Sequence, residues 1–205
     1  MKHTKESLIL TQKISTEMEG LTFHHHYHIL YDIINTFPEN YFINYVEIGC
    51  YAGGSACLVS QRKNTNIFSI DLGKPIKPEI FHKNMEKFNI NNNKFYYIQG
   101  DSQTKETLNK LKNYIDKIDV LFIDGDHKFL GVKNDFHLYS PLVKSGGYIV
   151  FDDYNDHEHS PEVKPAVDEI ISNIDGYEII GTLPNVYGAR PDNLNDGNCF
   201  IIKKI

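Results

Sequence analysis

Apolar and polar positions along this chain change period repeatedly, and the changes divide it into short buried strands and amphipathic helices. Strands are predicted at residues 43–48, 66–70, 94–99, 120–123, 148–151, 177–182 and 199–203, where runs are continuously apolar or alternate. Between the first five, apolar positions recur at three- and four-residue steps. This predicts helices in the stretch ending near Arg62 and over 78–88, 102–115 and 129–143. Another helix is expected over 165–174, but none separates the last two runs, which should therefore form an antiparallel pair. Alternating strand and helix implies a parallel sheet with helices on both faces and right-handed crossovers. The expected fold is α/β: a doubly wound, Rossmann-like seven-stranded sheet, mostly parallel, with an antiparallel last strand. Residues 4–19 and the stretch between Gly20 and Pro38 also show helical periodicity, so 1–40 should form an N-terminal helical cap on a single domain spanning 1–205.

The predicted strands end in acids. Glu47 precedes the glycine-rich turn GCYAGGSA, Asp71 closes the second run, Asp101 follows the third, Asp124 and Asp126 follow the fourth, and Asp152 and Asp153 the fifth. In an open α/β sheet, ligands bind beyond the carboxyl ends of the parallel strands, so these acids stand where a site belongs. A glycine-rich turn there lets a nucleotide-like ligand approach the backbone. The turn lacks the GxGxxG pattern, and Glu47 would repel a pyrophosphate while suiting an ammonium group. Asp71 is spaced to accept both hydroxyls of a ribose. A cationic nucleoside fits these features better than a dinucleotide, which argues against a nicotinamide oxidoreductase.

From about residue 44 to 153 the chain resembles the class I S-adenosylmethionine-dependent methyltransferases. It is most similar to the metal-dependent sugar and natural-product O-methyltransferases, whose FIDGDHxxxxVxxD core matches residues 122–135, and to the catechol O-methyltransferase type, matched by EIGCYAGGSA. The resemblance implies that Glu47, Gly49, Tyr51 and Ser55 surround S-adenosylmethionine, that Asp71 holds its ribose and that Ser102 and Gln103 flank its adenine, with Asp101 and Asp124 also at the cofactor. It further implies that Asp124, Asp152 and Asp153 hold Mg²⁺ or another divalent cation. Catechol enzymes have an amide at the position of Asp153 and many sugar enzymes an acid, which points to a saccharide or secondary metabolite as acceptor. The chemistry agrees: a neutral alcohol is a poor nucleophile at pH 7, and a cation held by hard carboxylate oxygens lowers its pKa.

His127, three residues after Asp124, matches a general base of the sugar-type enzymes and has a suitable pKa range; it could instead line the start of a helix. His157 and His159 are alternative bases, Asp126 is either a helix cap or a site group, and Asp135 falls mid-helix, where it should be structural and pair with the backbone of a neighbouring turn. Two other readings stay open: metal-independent transfer to an oxygen or nitrogen acceptor, and a non-catalytic S-adenosylmethionine-binding protein.

Composition narrows the partners. With 21 basic against 27 acidic residues the net charge is -6, and no Lys/Arg cluster suggests a nucleic-acid face. No apolar run approaches a membrane span, and Cys50, Cys57 and Cys199 lack disulfide or zinc spacing and should be small buried residues. A cytoplasmic protein acting on a small hydroxylated acceptor is expected, with no nucleic-acid or membrane partner; self-association stays open. His24, His25, His26 and His28 are expected on a solvated or substrate-facing lid, with Tyr27, Tyr31, Tyr187 and Arg190 available to line the acceptor pocket.

Overall fold

The computed structural model describes residues 5–20, 27–182 and 198–205. Seven strands form one sheet: β1 (Ile43–Ile48), β2 (Thr65–Asp71), β3 (Phe95–Gln99), β4 (Ile118–Ile123), β5 (Val143–Phe151), β6 (Tyr177–Thr182) and β7 (Phe200–Lys204). Their order is β3-β2-β1-β4-β5-β7-β6. The first five run parallel, and β7 is antiparallel to both β5 and β6. This is the doubly wound fold expected from the alternation.

Seven helices cover the sheet among the described residues: α1 (Lys5–Glu17), α2 (His28–Ile34), α3 (Gly54–Val59), α4 (Pro78–Phe88), α5 (Lys105–Lys112), α6 (Phe129–Tyr139) and α7 (Val163–Ser172). Because side chains alternate along a strand, Tyr45, Val120, Phe122 and Val150 join one core with α1 to α4, while Val46, Ile48, Leu121, Ile123 and Ile149 join the other with α5 to α7. Of the expected cap, α1 and α2 are the described parts, and they belong to the helical layer of the first face. Ile29, Leu30, Ile33 and Ile34 are wholly buried, each worth roughly 1.5–3 kcal/mol against exposure. His28, expected on a solvated or substrate-facing lid, is buried too. His24, His25, His26, Tyr187 and Arg190 lie outside the described residues.

Several boundaries moved by a few residues, two of them for visible local reasons. The helix expected over 129–143 stops at Tyr139, where Pro141 joins a 3-10 turn and lets β5 begin at Val143, ahead of the glycine pair. The helix expected from 102 begins at Lys105, because the Thr104 side chain caps it by accepting from the Thr107 N–H. Among the described residues no helix is long and apolar enough to cross a membrane.

Candidate active site

The glycine-rich turn after β1 is forced by its neighbours. Gly49 has φ +81°, and a side-chain carbon there would stand 1.9 Å from the Asp124 carbonyl oxygen, so the β1 and β4 ends can meet only with glycine. Tyr51 and Asp153 also lie in the left-handed region, with φ 46° and 56°. Such backbone costs of order 1–3 kcal/mol in a non-glycine residue and gathers at functional sites.

Two cavities open along these strand ends. The larger, about 440 Å³, is lined by Gly49, Asp71, Asp101, Ser102, Gln103, Gly125 and Asp126 among others. The smaller, about 280 Å³, is lined by Tyr27, Gly49, Tyr51, Asp71, Asp124, Gly125 and His127, and Lys74 borders both. A third cavity of about 580 Å³ is the most spacious, but it lies at the opposite ends of the strands, and its Asn91 and Asn93 amides are taken up by backbone carbonyls. The acids at the strand ends that line a cavity, Asp71, Asp101, Asp124 and Asp126, are at the first two.

Asp71 is tightly held. Its Oδ2 accepts from the Cys50 and Tyr51 N–H groups, both at 3.0 Å, and its Oδ1 from Gly73 N–H at 2.6 Å and the Tyr97 hydroxyl at 3.4 Å. A carboxylate offers about four lone-pair sites, so a ribose hydroxyl has to displace a donor, the distant Tyr97 most easily. Glu47, expected beside the cofactor's ammonium group, lies deeper than the two cavities. It is wholly buried under the turn, where Ser55 (2.5 Å), Ser69 (2.6 Å) and Tyr45 (3.0 Å) donate to it, and it lines neither cavity. Burial pushes its carboxyl up to about 7 against the pull of the three hydroxyls. Ser55 is consumed by this network and does not line the cavities either. Gln103 donates to Asp126 at 3.0 Å and accepts from Asn134 at 3.1 Å, tying together the two loops beside the larger cavity. Asp126 also accepts from the Lys128 N–H, at 3.2 Å, as a turn-forming group.

At the ends of β4 and β5 the structure gathers Asp124, Asp153 and His127, whose ligand atoms lie within 4.8 Å of one another. The expected metal set contained Asp152 instead of His127. Asp152 is buried and accepts from the Cys199 thiol at 3.3 Å, while Asp153, turned in the left-handed region, faces His127. His127 stands between the two acids, its Nε2 3.4 Å from Asp124 and its Nδ1 3.3 Å from Asp153. Asp124 raises its titration most, burial opposes that rise, and Asp153 adds to it, so that the imidazole is held up to about 9. Both ring nitrogens thus face carboxylates that share a proton with the imidazole, and a cation held by those carboxylates would compete with that proton. Burial and the neighbouring Asp152 push Asp124 upward. Two carboxylate oxygens and a ring nitrogen form a donor set that a divalent cation could use, the carboxylates suiting a hard ion and the imidazole a borderline one. His159 is exposed and pairs with Asp156, and neither it nor His157 lines the two cavities.

Supporting residues came from parts of the chain that no motif marks. Ser160 donates to Asp153 at 2.8 Å and touches His127 Nδ1 at 2.8 Å; Asn198 donates to the other Asp153 oxygen at 2.8 Å; and Tyr27, from the N-terminal segment, donates to Asp124 at 3.1 Å. Sequence reading had Tyr27 only as a pocket-lining residue. Cys50, Cys57 and Cys199 are free and buried, as expected.

Comparison with known proteins bears on this geometry. Residues 46–154, more than half of the chain, match a family model described as a methyltransferase domain. An uncharacterized protein of Acanthamoeba polyphaga mimivirus is 41% identical over 205 residues, covering 94% of this chain and 92% of that protein. Among solved structures, the O-methyltransferase from Bacillus cereus in complex with SAH superposes with a TM-score of 0.66 at 15% identity, over 98% of this chain and 91% of that one. The SAH-bound methyltransferase PaMTH1 of Podospora anserina gives 0.66 at 14% identity, over 98% and 88%. At these identities the structural likeness speaks for the fold.

Proposed function

The chain belongs to this methyltransferase-domain family as an S-adenosylmethionine-dependent enzyme, and from that premise we propose that it transfers the methyl group to a hydroxyl of a small acceptor, a saccharide or secondary metabolite, with the help of a divalent cation. The observation that carries the reading is the convergence of Asp124, His127 and Asp153 beside a cavity that continues into a second, glycine-walled one. The larger cavity takes the adenosyl part of the cofactor, with Asp71 at the ribose and Ser102 at the base. The smaller takes the acceptor, between Tyr27 and His127.

Asp124, Asp153 and His127 would hold the cation, which when bound lowers the acceptor hydroxyl's pKa and fixes its position. The chain's own groups do the rest. Ser160 and Asn198 fix both oxygens of Asp153, and Tyr27 fixes one of Asp124, so that the donors keep their spacing before any ligand arrives. Methyl transfer is an in-line displacement at carbon, and much of its acceleration comes from holding acceptor and sulfonium in line. The junction of the two cavities, walled by Gly49 and Gly125 without side chains, leaves room for that approach. A net charge of -6 and the absence of a basic cluster in the sequence support a small acceptor over a nucleic acid.

A metal-independent reaction with His127 as sole base is the weaker reading, because both of its ring nitrogens already face carboxylates, Asp124 and Asp153. Labelled S-adenosylmethionine offered with a panel of glycosides and phenols tests both. Transfer to an oxygen, lost in EDTA and restored by Mg²⁺, is expected; full turnover in EDTA would sink the cation's role.

A further inference from the structure

Two ionisable groups near the cavities have no part in the reaction proposed above. Asp135, in the middle of α6, is wholly buried and lines neither cavity, and its oxygens meet no hydrogen-bond partner, where the sequence pattern suggested a backbone contact. Sealed in this way, it reaches no ligand. Lys74 is the opposite case. It is exposed and borders both cavities, and no other lysine or arginine among the described residues borders either.

The turn that carries Lys74 is fixed from both sides. Gly73 N–H donates to Asp71 Oδ1 at 2.6 Å, and the Gln99 side-chain amide donates to the Leu72 carbonyl at 3.2 Å. Gly73 has φ +76°, and a side-chain carbon there would stand 2.7 Å from that same amide nitrogen, so the turn closes tightly against the end of β3. Leu72 lines only the larger cavity and Pro75 only the smaller, so the chain crosses from one to the other at Lys74.

The charge of Lys74 is not spent within the protein. Lys128 and Lys133, at the start of α6, are paired with Glu162 and Glu169. Lys74 makes no such pair among the described residues, although Asp71 lies three residues before it. The acids nearby have donors of their own: Asp71 holds three N–H groups and the Tyr97 hydroxyl, Asp101 the Gln103 N–H, and Asp126 the Gln103 side chain. A cation left open at the rim of a ligand cavity, in a chain of net charge -6, is complementary to an anion that the ligand brings.

We propose that Lys74 reads an anionic group on the acceptor, a carboxylate or a phosphate, and that the acceptor is accordingly a hydroxylated acid: a sugar acid, a sugar phosphate or a phenolic acid. The breadth of the site fits this. In the sheet β2 and β4 flank β1, so their ends stand about 10 Å apart, two strand spacings. A hydroxyl held at Asp124 and His127, beyond β4, leaves the far side of a single ring facing the end of β2, where the long Lys74 side chain can meet it. The inference rests on the acceptor placement proposed above.

The test offers the full chain, with labelled S-adenosylmethionine and Mg²⁺, acceptors in matched sets: methyl glucoside with methyl glucuronide and methyl glucoside phosphate, and catechol with protocatechuate. Wild type should use an acidic member about five- to tenfold better in kcat/KM, chiefly through KM, an effect between that of an exposed ion pair and that of a charge-assisted hydrogen bond. Whether the carboxylate or the phosphate gains more tells the two apart. Lys74→Met should abolish the preference and Lys74→Arg should keep most of it, whereas loss of a merely turn-stabilising lysine would change neutral and acidic members alike. Calorimetry with S-adenosylhomocysteine and with methylthioadenosine, which lacks the amino-acid tail, checks the rival anion. A Lys74→Met loss of affinity confined to the first probe would assign Lys74 to the cofactor's carboxylate and overturn the proposal. Equal use of neutral and acidic members by wild type would overturn it too, whatever the variants do. Should nothing in the panel be methylated, the acceptor reading itself falls, and this inference with it.

Discussion

Glu47 and Asp124 belong to neighbouring parallel strands, both at the end of the sheet where ligands bind, and the fold treats their charge in opposite ways. Glu47 is sealed beneath a helix with three hydroxyls aimed at its two oxygens, so its charge or proton is shared inside the protein. Asp124 stands beside Asp152 and Asp153, with Tyr27 and His127 facing it and a cavity in front. An acid surrounded by donors supports the turn above it. Acids grouped around one imidazole carry a surplus of negative charge, the condition for receiving a cation. Position at a strand end does not separate these roles; the supply of donors does.

The comparison breaks most visibly at the cluster. Asp124→Asn should lower methyl transfer by about 100-fold or more, the upper range for disturbing a metal site, while calorimetry shows S-adenosylhomocysteine affinity unchanged. Asp153→Asn should behave alike. If an EDTA-treated wild type matches the untreated enzyme, Asp124 is one more structural acid and the contrast with Glu47 dissolves.

Asp71 is intermediate, since it supports the turn and also faces the cavities. Its replacement by Asn should weaken cofactor binding by about 1–3 kcal/mol, the range for a lost charged hydrogen bond; calorimetry with unchanged affinity would leave it only the turn.

Glu47→Gln sharpens the other side. A carboxyl raised from 4.5 to about 7 on folding binds its proton more tightly in the native state. The stability it contributes is complete below its unfolded pKa and is lost as pH rises through about 7. Asp135, raised from 3.8 to about 7, acts in the same window and with the same sign. Wild-type melting temperature should therefore fall between about pH 4.5 and about pH 7, with part of the slope removed by Glu47→Gln and part by Asp135→Asn. A slope unchanged in both variants would contradict the burial argument. The smallest effect is expected from Tyr27→Phe, which keeps the edge-on contact with Phe122 and loses the hydroxyl on Asp124. Turnover should drop by roughly three- to tenfold, one neutral hydrogen bond's worth, with cofactor affinity unaltered; an equal loss in both would place Tyr27 with the cofactor instead.

Much of this arrangement is local in origin and so was legible in the chain. A buried strand is a short apolar run, and what ends it is written in the next residue, so Asp71, Asp124 and Asp153 could be assigned to one edge before any coordinates existed. The alternation with helices carried the parallel sheet, and the empty interval before residue 199 the antiparallel strand. Gly49 was readable as a turn residue, although the Asp124 carbonyl that requires it belongs to another strand.

What the sequence could not decide is which way each acid faces and what meets it there. Asp152 and Asp153 are adjacent in type and position, yet one is met by Cys199 and the other by Asn198, Ser160 and His127, because β7 returns beside β5 from the far end of the chain. The three hydroxyls that close on Glu47 include a strand neighbour 22 residues away, and the tyrosine on Asp124 comes from 97 residues earlier. Local pattern fixed where polar groups leave the core, since that depends on the period of a single element. Their partners depend on how elements pack against one another, and only the tertiary structure determined that.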